Sequence, residues 1–185
     1  MLEIKFNGFP VLETERLFFR QFTLDDAEVF LDLNSNEKVI QYFDRPKMPS
    51  MEEAIKTLNK ISASFENNEG VTWAIELKEA KKIIGHITYW RIIKEHYRAE
   101  IGYSLFPEYW GKGFMSEAIR KVIDFGFLIL KFHSIEANVD PRNIASMKLL
   151  ECTGFIREGY LKENFYFNGK FFDTALYSLL NIKES

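Results

Sequence analysis

Two hydrophobic periods meet near the middle of this chain, and the place where one gives way to the other is its most informative stretch. Between Ala99 and Phe106, Ile101, Tyr103 and Leu105 alternate with Glu100, Gly102 and Ser104. That is the period of a strand, and Pro107 stops it. From Met115, apolar residues return at three- and four-residue spacing through Ala118, Ile119, Val122, Ile123, Gly126 and Ile129, the face of a helix. Gly111-Lys112-Gly113 joins the strand to the helix.

The same reading assigns the rest. Val11 to Phe22 is an early strand in which Leu17 and Phe19 share a face, and Thr23, with Asp26 three residues on, caps a helix over 24–33. A short helix follows over 36–43, and the prolines at 46 and 49 mark a loop. Ser50 caps a helix that fades into the polar turn at 66–70. Residues 71–77 and 82–93 form a hairpin, 97–106 continues the meander, and 134–139 is a short strand. Asn143 caps a helix that ends at Gly154, and 155–167 and 171–180 close the chain as a hairpin across Asn168-Gly169. Strands outnumber helices at the centre, so the fold class is mixed α/β with a largely antiparallel sheet.

Composition narrows the class. The 185 residues suit a single domain spanning 1–185, and 46% apolar residues suffice for a core without disulfides or metals. A net charge of −3 with dispersed basic residues argues against nucleic acid as a partner. Cys152 is the only cysteine, so no internal disulfide forms and a reducing compartment is expected. No apolar run approaches the ~18 residues that span a membrane, and the first residues lack a secretory apolar region. The expectation is a soluble, cytoplasmic protein.

The Gly-Lys-Gly turn brings the first chemistry. It leaves no side chain over the start of the following helix, where bare N–H groups and the macrodipole favour an anion such as phosphate. An ordinary strand-to-helix turn reads the same way. A magnesium-binding P-loop is excluded because Lys112 is followed by Gly113 rather than Ser or Thr, and the dinucleotide fingerprint fails because Ser116 stands where its third glycine belongs. His86, His96 and His133 lie far apart without ligand spacing, so no metal site is expected. Trp73, Trp90 and Trp110 read as core or pocket wall, and Cys152 as core.

Two separated segments carry a family resemblance. Tyr109-Trp110-Gly111-Lys112-Gly113-Phe114-Met115-Ser116-Glu117-Ala118 and Asn143-Ile144-Ala145-Ser146-Met147-Lys148-Leu149-Leu150, the latter running on to Gly154-Phe155 and Glu158-Gly159, together resemble the GNAT acetyltransferases. Leu12-Glu13-Thr14-Glu15-Arg16-Leu17 at one end and Asn168-Gly169-Lys170-Phe171-Phe172-Asp173 at the other point to the branch that acetylates the N-termini of ribosomal proteins. The resemblance implies a twisted sheet of about seven strands splayed in the middle and flanked by helices. It places acetyl-CoA in the splay, between the strand around 99–106 and that around 134–139. Backbone N–H groups of Trp110, Gly111, Lys112, Gly113, Phe114, Met115 and Ser116 would hold its pyrophosphate. The exposed backbone of Ser104, Leu105 and Phe106 would pair with its pantetheine arm, one N–H polarising the thioester carbonyl. Glu108 stands where the family usually has Gln or Arg, so it is expected to face solvent. Lys112 is either a phosphate contact or a solvated lysine.

Asn143 has two readings, an N-cap and, by resemblance, a ligand of the pantetheine arm. The tyrosine that many members carry seven residues after this Asn is replaced by Leu150. The branch resembled has a serine three residues after it, which makes Ser146 the candidate acid for the leaving thiolate; a serine bonded back to its own helix is the alternative. Glu100 is the candidate base for the amine, against a plain surface carboxylate, with Glu158 a weaker rival. The implied reaction is direct acetyl transfer from acetyl-CoA to a primary amine, by resemblance a protein N-terminus. A polyamine, an antibiotic or an amino acid remains a second acceptor class, and a silent coenzyme A sensor or a nucleotide-binding module are rivals of other kinds. The aromatic closing strands could pair two chains as a homodimer.

Overall fold

Eight strands form one sheet in the order β1-β2-β3-β4-β5-β6-β8-β7 in a computed structural model that describes residues 2–43 and 45–182. They are β1 (Leu12–Glu13), β2 (Leu17–Gln21), β3 (Val71–Leu77), β4 (Lys82–Ile93), β5 (Arg98–Leu105), β6 (Ser134–Val139), β7 (Ile156–Phe167) and β8 (Lys170–Leu180). The helices are α1 (Ala27–Ser35), α2 (Glu37–Ile40), α3 (Met51–Glu66), α4 (Phe114–Leu128) and α5 (Ile144–Cys152). The early strand predicted over 11–22 is two strands. The Thr14 hydroxyl accepts from the Leu17 N–H, 3.1 Å away, and turns β1 back on β2.

Every strand pair is antiparallel except β5–β6, which is parallel and pairs only over Arg98–Glu100 against Ser134–Glu136. Beyond Glu100 the two strands part. Alternation decides what each face meets. Trp73, Ile87 and Tyr89 pack with Ala118, Ile119 and Val122 of α4, while Ala74 packs with Phe30 of α1 and with Ala54 and Leu58 of α3. So α4 and α5 cover one face of the sheet, and α1 and α3 the other. Helix α4 sits unusually close. A Cβ at Gly126 would lie 2.5 Å from the Tyr89 hydroxyl, which donates to the Val122 carbonyl at 2.8 Å. Ile129, which continues the helical period in sequence, falls just past the last helical residue and is exposed.

The closing hairpin turns where expected. Asn168 and Gly169 both have positive φ, +47° and +80°, as a two-residue type I′ turn requires. Its strands remain largely open to solvent, with Ile156, Tyr166 and Phe171 exposed. Trp90 is exposed rather than core, because it faces outward over Gly102.

Candidate active site

The divergence of β5 from β6 opens a cavity of about 790 Å³, within the range of small-molecule sites. Its walls are the free end of β5, residues 137–139 of β6, the start of α4 and the exposed face of α5. Lys38, Val39, Gln41, Tyr42 and Phe43, from α2 and the turn after it, close one side. The sequence reading gives those five residues no role, since nothing local marks a pocket wall.

The loop before α4 has the form of an anion cradle. Gly111 and Gly113 have φ of +71° and +78°, in the left-handed region that only glycine adopts freely. Gly113 is the N-cap and supplies no side-chain cap, so the N–H groups of the first turn keep their hydrogens for a ligand. Space above the loop is open: a Cβ would meet nothing at Gly111 and only an Arg16 nitrogen, 3.5 Å away, at Gly113. Trp110, Gly111, Gly113, Phe114, Met115 and Ser116 all line the cavity. Lys112 is exposed beside the Tyr109 ring, and Glu108 faces solvent as expected.

Arg16 fixes this loop from more than ninety residues away. Its guanidinium donates to the Lys112 carbonyl at 3.1 Å and to the Glu117 carboxylate at 2.7 Å, and lies 4.4 Å from the Phe114 ring centroid. Glu117 is the one acid in the first turn of α4, so pairing it removes a charge that would repel an anion there. The run Thr-Glu-Arg-Leu was visible in the sequence, but its partner was not.

The backbone of β5 divides between its neighbours. The Phe106 N–H donates to the Ile84 carbonyl at 2.9 Å, so by alternation Ser104 and Gly102 also turn their backbone groups to β4. Tyr103 and Leu105 turn theirs to the open side. Of the three residues expected to offer backbone to a ligand, only Leu105 does so, and Tyr103 joins it. Phe106 stands outside the cavity wall and packs against Leu33, Val39 and Ile40. The Leu105 carbonyl already accepts from the Trp110 indole at 2.8 Å. Its N–H and both polar groups of Tyr103 are left facing the wedge. The Ser104 hydroxyl points to the opposite face and lies 3.1 Å from His86 Nδ1. Burial, helped by nearby Arg45, holds that histidine's pKa down to about 4, so it is neutral.

Asn143 caps α5: its Oδ1 accepts from the Ser146 N–H at 3.0 Å. The cap uses only the amide oxygen, so it does not exclude the ligand reading. The Ser146 hydroxyl is not bonded back to its helix. It lies 2.9 Å from the hydroxyl of Tyr103, which crosses the wedge from β5. Cys152 corrects the sequence expectation. It is exposed on the cavity wall rather than buried, because the buried face of α5 is carried by Leu150.

Glu100 is not a surface carboxylate. It is 5% exposed, on the α1–α3 face, at the point where β5 and β6 part. Arg91 donates to it at 2.9 Å. Burial raises its pKa above the ordinary range and the neighbouring Glu136 adds to this; Asn138 and Arg91 oppose the rise without cancelling it. Glu100 does not line the cavity; Asn138, its hydrogen-bond partner, does. Glu136 is paired in turn with Arg98 at 2.6 Å. Glu158, the rival base, is exposed and accepts from the Ser178 hydroxyl.

Known proteins share both the sequence and this architecture. The acetyltransferase (GNAT) domain family matches residues 16–156. The uncharacterized N-acetyltransferase YoaA of Bacillus subtilis is 41% identical over 176 residues, covering 95% of this chain and 99% of its own. Ribosomal-protein-S5-alanine acetyltransferase from Vibrio fischeri superposes with a TM-score of 0.83 at 29% identity, over 95% of this chain and 99% of that one. Spermidine N-acetyltransferase from Vibrio cholerae, solved with CoA and spermine, gives 0.81 at 29% identity, over 90% and 96%. With a strand that leaves its neighbour, an uncapped glycine turn beside it and this agreement along most of its length, the chain belongs to the GNAT family, N-acetyltransferases that draw their acetyl group from acetyl-CoA.

Proposed function

We propose that this enzyme transfers the acetyl group of acetyl-CoA directly to the α-amine of a protein N-terminus. The observation that carries the transfer is a cavity lined both by an uncapped helix start and by an unpaired strand edge. The Gly111–Gly113 turn and the first turn of α4 hold the pyrophosphate. Tyr103 and Leu105 pair with the pantetheine arm, assisted by the Asn143 amide, and a backbone N–H at this edge polarises the thioester carbonyl. The acceptor amine approaches from the α1–α3 face, where Glu100 draws off its proton on the Asn138 side. A carboxylate with a raised pKa is the stronger base at neutral pH.

Charge at the acceptor side supports an α-amine. Both buried-side carboxylates there, Glu100 and Glu136, carry an arginine, so neither offers a free charge to a polycation. A small-molecule amine is the second reading, favoured by the likeness to spermidine N(1)-acetyltransferase of Vibrio cholerae, 29% identical over 168 residues. The test is thiol release from acetyl-CoA with N-terminal peptides beside spermidine and aminoglycosides. Turnover on peptides supports the main reading, turnover on spermidine alone moves the acceptor to the second, and tight binding without turnover makes the chain a sensor.

A further inference from the structure

The position where many members of the family carry an acid is Leu150, which is fully buried in the core and stands outside the cavity wall. A phenol reaches the wedge from the other side instead. Tyr103 leaves the free end of β5, packs on the same core as Leu150, and ends with its oxygen 2.9 Å from Ser146 Oγ. Both residues line the cavity. The Ser146 N–H is engaged by Asn143, which fixes the first turn of α5, and Tyr103 is the only partner of the Ser146 hydroxyl among the described residues.

We propose that Tyr103 is a positioning residue: its phenol donates to Ser146 Oγ, which leaves the serine's own proton free to point at the thioester sulfur. The proposal rests on the acetyl-transfer reading. As the amine nitrogen bonds to the carbonyl carbon, the C–S bond breaks and its electron pair goes to sulfur. The proton shed by the amine leaves toward Glu100, and the departing thiolate takes its own from solvent. In between, Ser146 stabilises the thiolate by hydrogen bonding rather than by giving up a proton. Burial pushes the Tyr103 phenol up to about 12, so it stays a neutral donor throughout. A thiol ionises near roughly 8.5, so the thiolate needs a donor more than an acid.

Steady-state kinetics on the best amine, with calorimetric affinity for acetyl-CoA, test this in Tyr103→Phe, Ser146→Ala, the double variant and Ser146→Thr. A hydrogen bond to a charged group predicts kcat losses of about tenfold to a hundredfold for Ser146→Ala and about tenfold for Tyr103→Phe. KM and affinity for acetyl-CoA should change by less than about twofold, since the bond forms as charge develops on sulfur. The double variant should be no slower than Ser146→Ala, and Ser146→Thr should recover most of the rate. Full kcat in Tyr103→Phe, losses that multiply in the double variant, or an effect confined to KM would overturn the positioning role alone. A wild type that binds acetyl-CoA and acetylates no amine would overturn the proposal together with the reading beneath it.

Discussion

At its start β5 has a neighbour on each side; from Ile101 to Leu105 it has one. The two ends share one alternating sequence, yet their chemistry differs. At the paired end β5 has a strand on both sides, and what stands out is charge: Glu100 and Glu136 sit opposite each other across β5 and β6, each tied to an arginine. Along the splayed end, residues 101–105 carry no charged side chain, and backbone is available. On the proposed reading, the same strand holds a proton-handling end and a ligand-pairing end, separated by one register step. Losing a neighbour, rather than gaining a motif, turns structural sequence into a site.

Substitutions should therefore separate rate from binding. The largest effect is expected at the splayed side with Gly113→Val. A β-branched residue at φ +78° is strained, and its side chain covers the cradle, so the acetyl-CoA dissociation constant should rise at least about 100-fold by calorimetry. An unchanged constant would remove the loop from the site. At the paired end, Glu100→Gln should leave that constant within about twofold and lower kcat/KM roughly tenfold or more at neutral pH. Its raised pKa places the acid limb of the wild-type profile above the ordinary glutamate range, with activity falling as pH falls through it. The Gln variant should lose that limb, and a wild-type profile in the variant would dissolve the distinction between the ends.

Arg16→Ala sits between these cases. It unpins the glycine turn without touching the strand, so affinity should fall about threefold to tenfold, with kcat for bound substrate little altered. A change in kcat alone would argue against a role in shaping the loop. The effect furthest from binding and rate concerns stability behind the splayed end. His86 is held neutral with a pKa near 4, below its ordinary value, so the unfolded chain binds a proton that the folded one refuses. Stability should decline as pH drops from about 6.5 toward 4, and His86→Gln should flatten that decline in denaturant midpoints measured across the interval. An identical slope in the variant would assign the acid sensitivity elsewhere.

Local signals in the sequence were reliable guides to local structure. The change of period at Pro107, the glycine turn, the Asn143 cap and the Asn168-Gly169 hairpin each appear within a residue or two of where the pattern placed them, because each depends on its own neighbours. The misses are contacts between distant residues. Arg16 reaches Glu117, Tyr103 reaches Ser146, and the five residues around α2 reach the cavity, each through the topology of the sheet. Cys152 and Phe106 were misjudged for a related reason. Which side of α5 is buried, and which neighbour takes the Phe106 amide, are fixed by packing partners that the one-dimensional pattern does not display.

The chain has one cysteine, and it opens onto the wedge wall. A thiol-reactive dye will therefore attach at one known place without any engineering. Its labelling rate converts occupancy of the α5 side into an optical signal, so a titration can follow ligands that leave no trace in turnover. Coenzyme A and its analogues should slow the reaction in proportion to the fraction bound. Acceptors that stay on the opposite face of the sheet should leave it unchanged, which gives the two substrates separable readouts in a single cuvette.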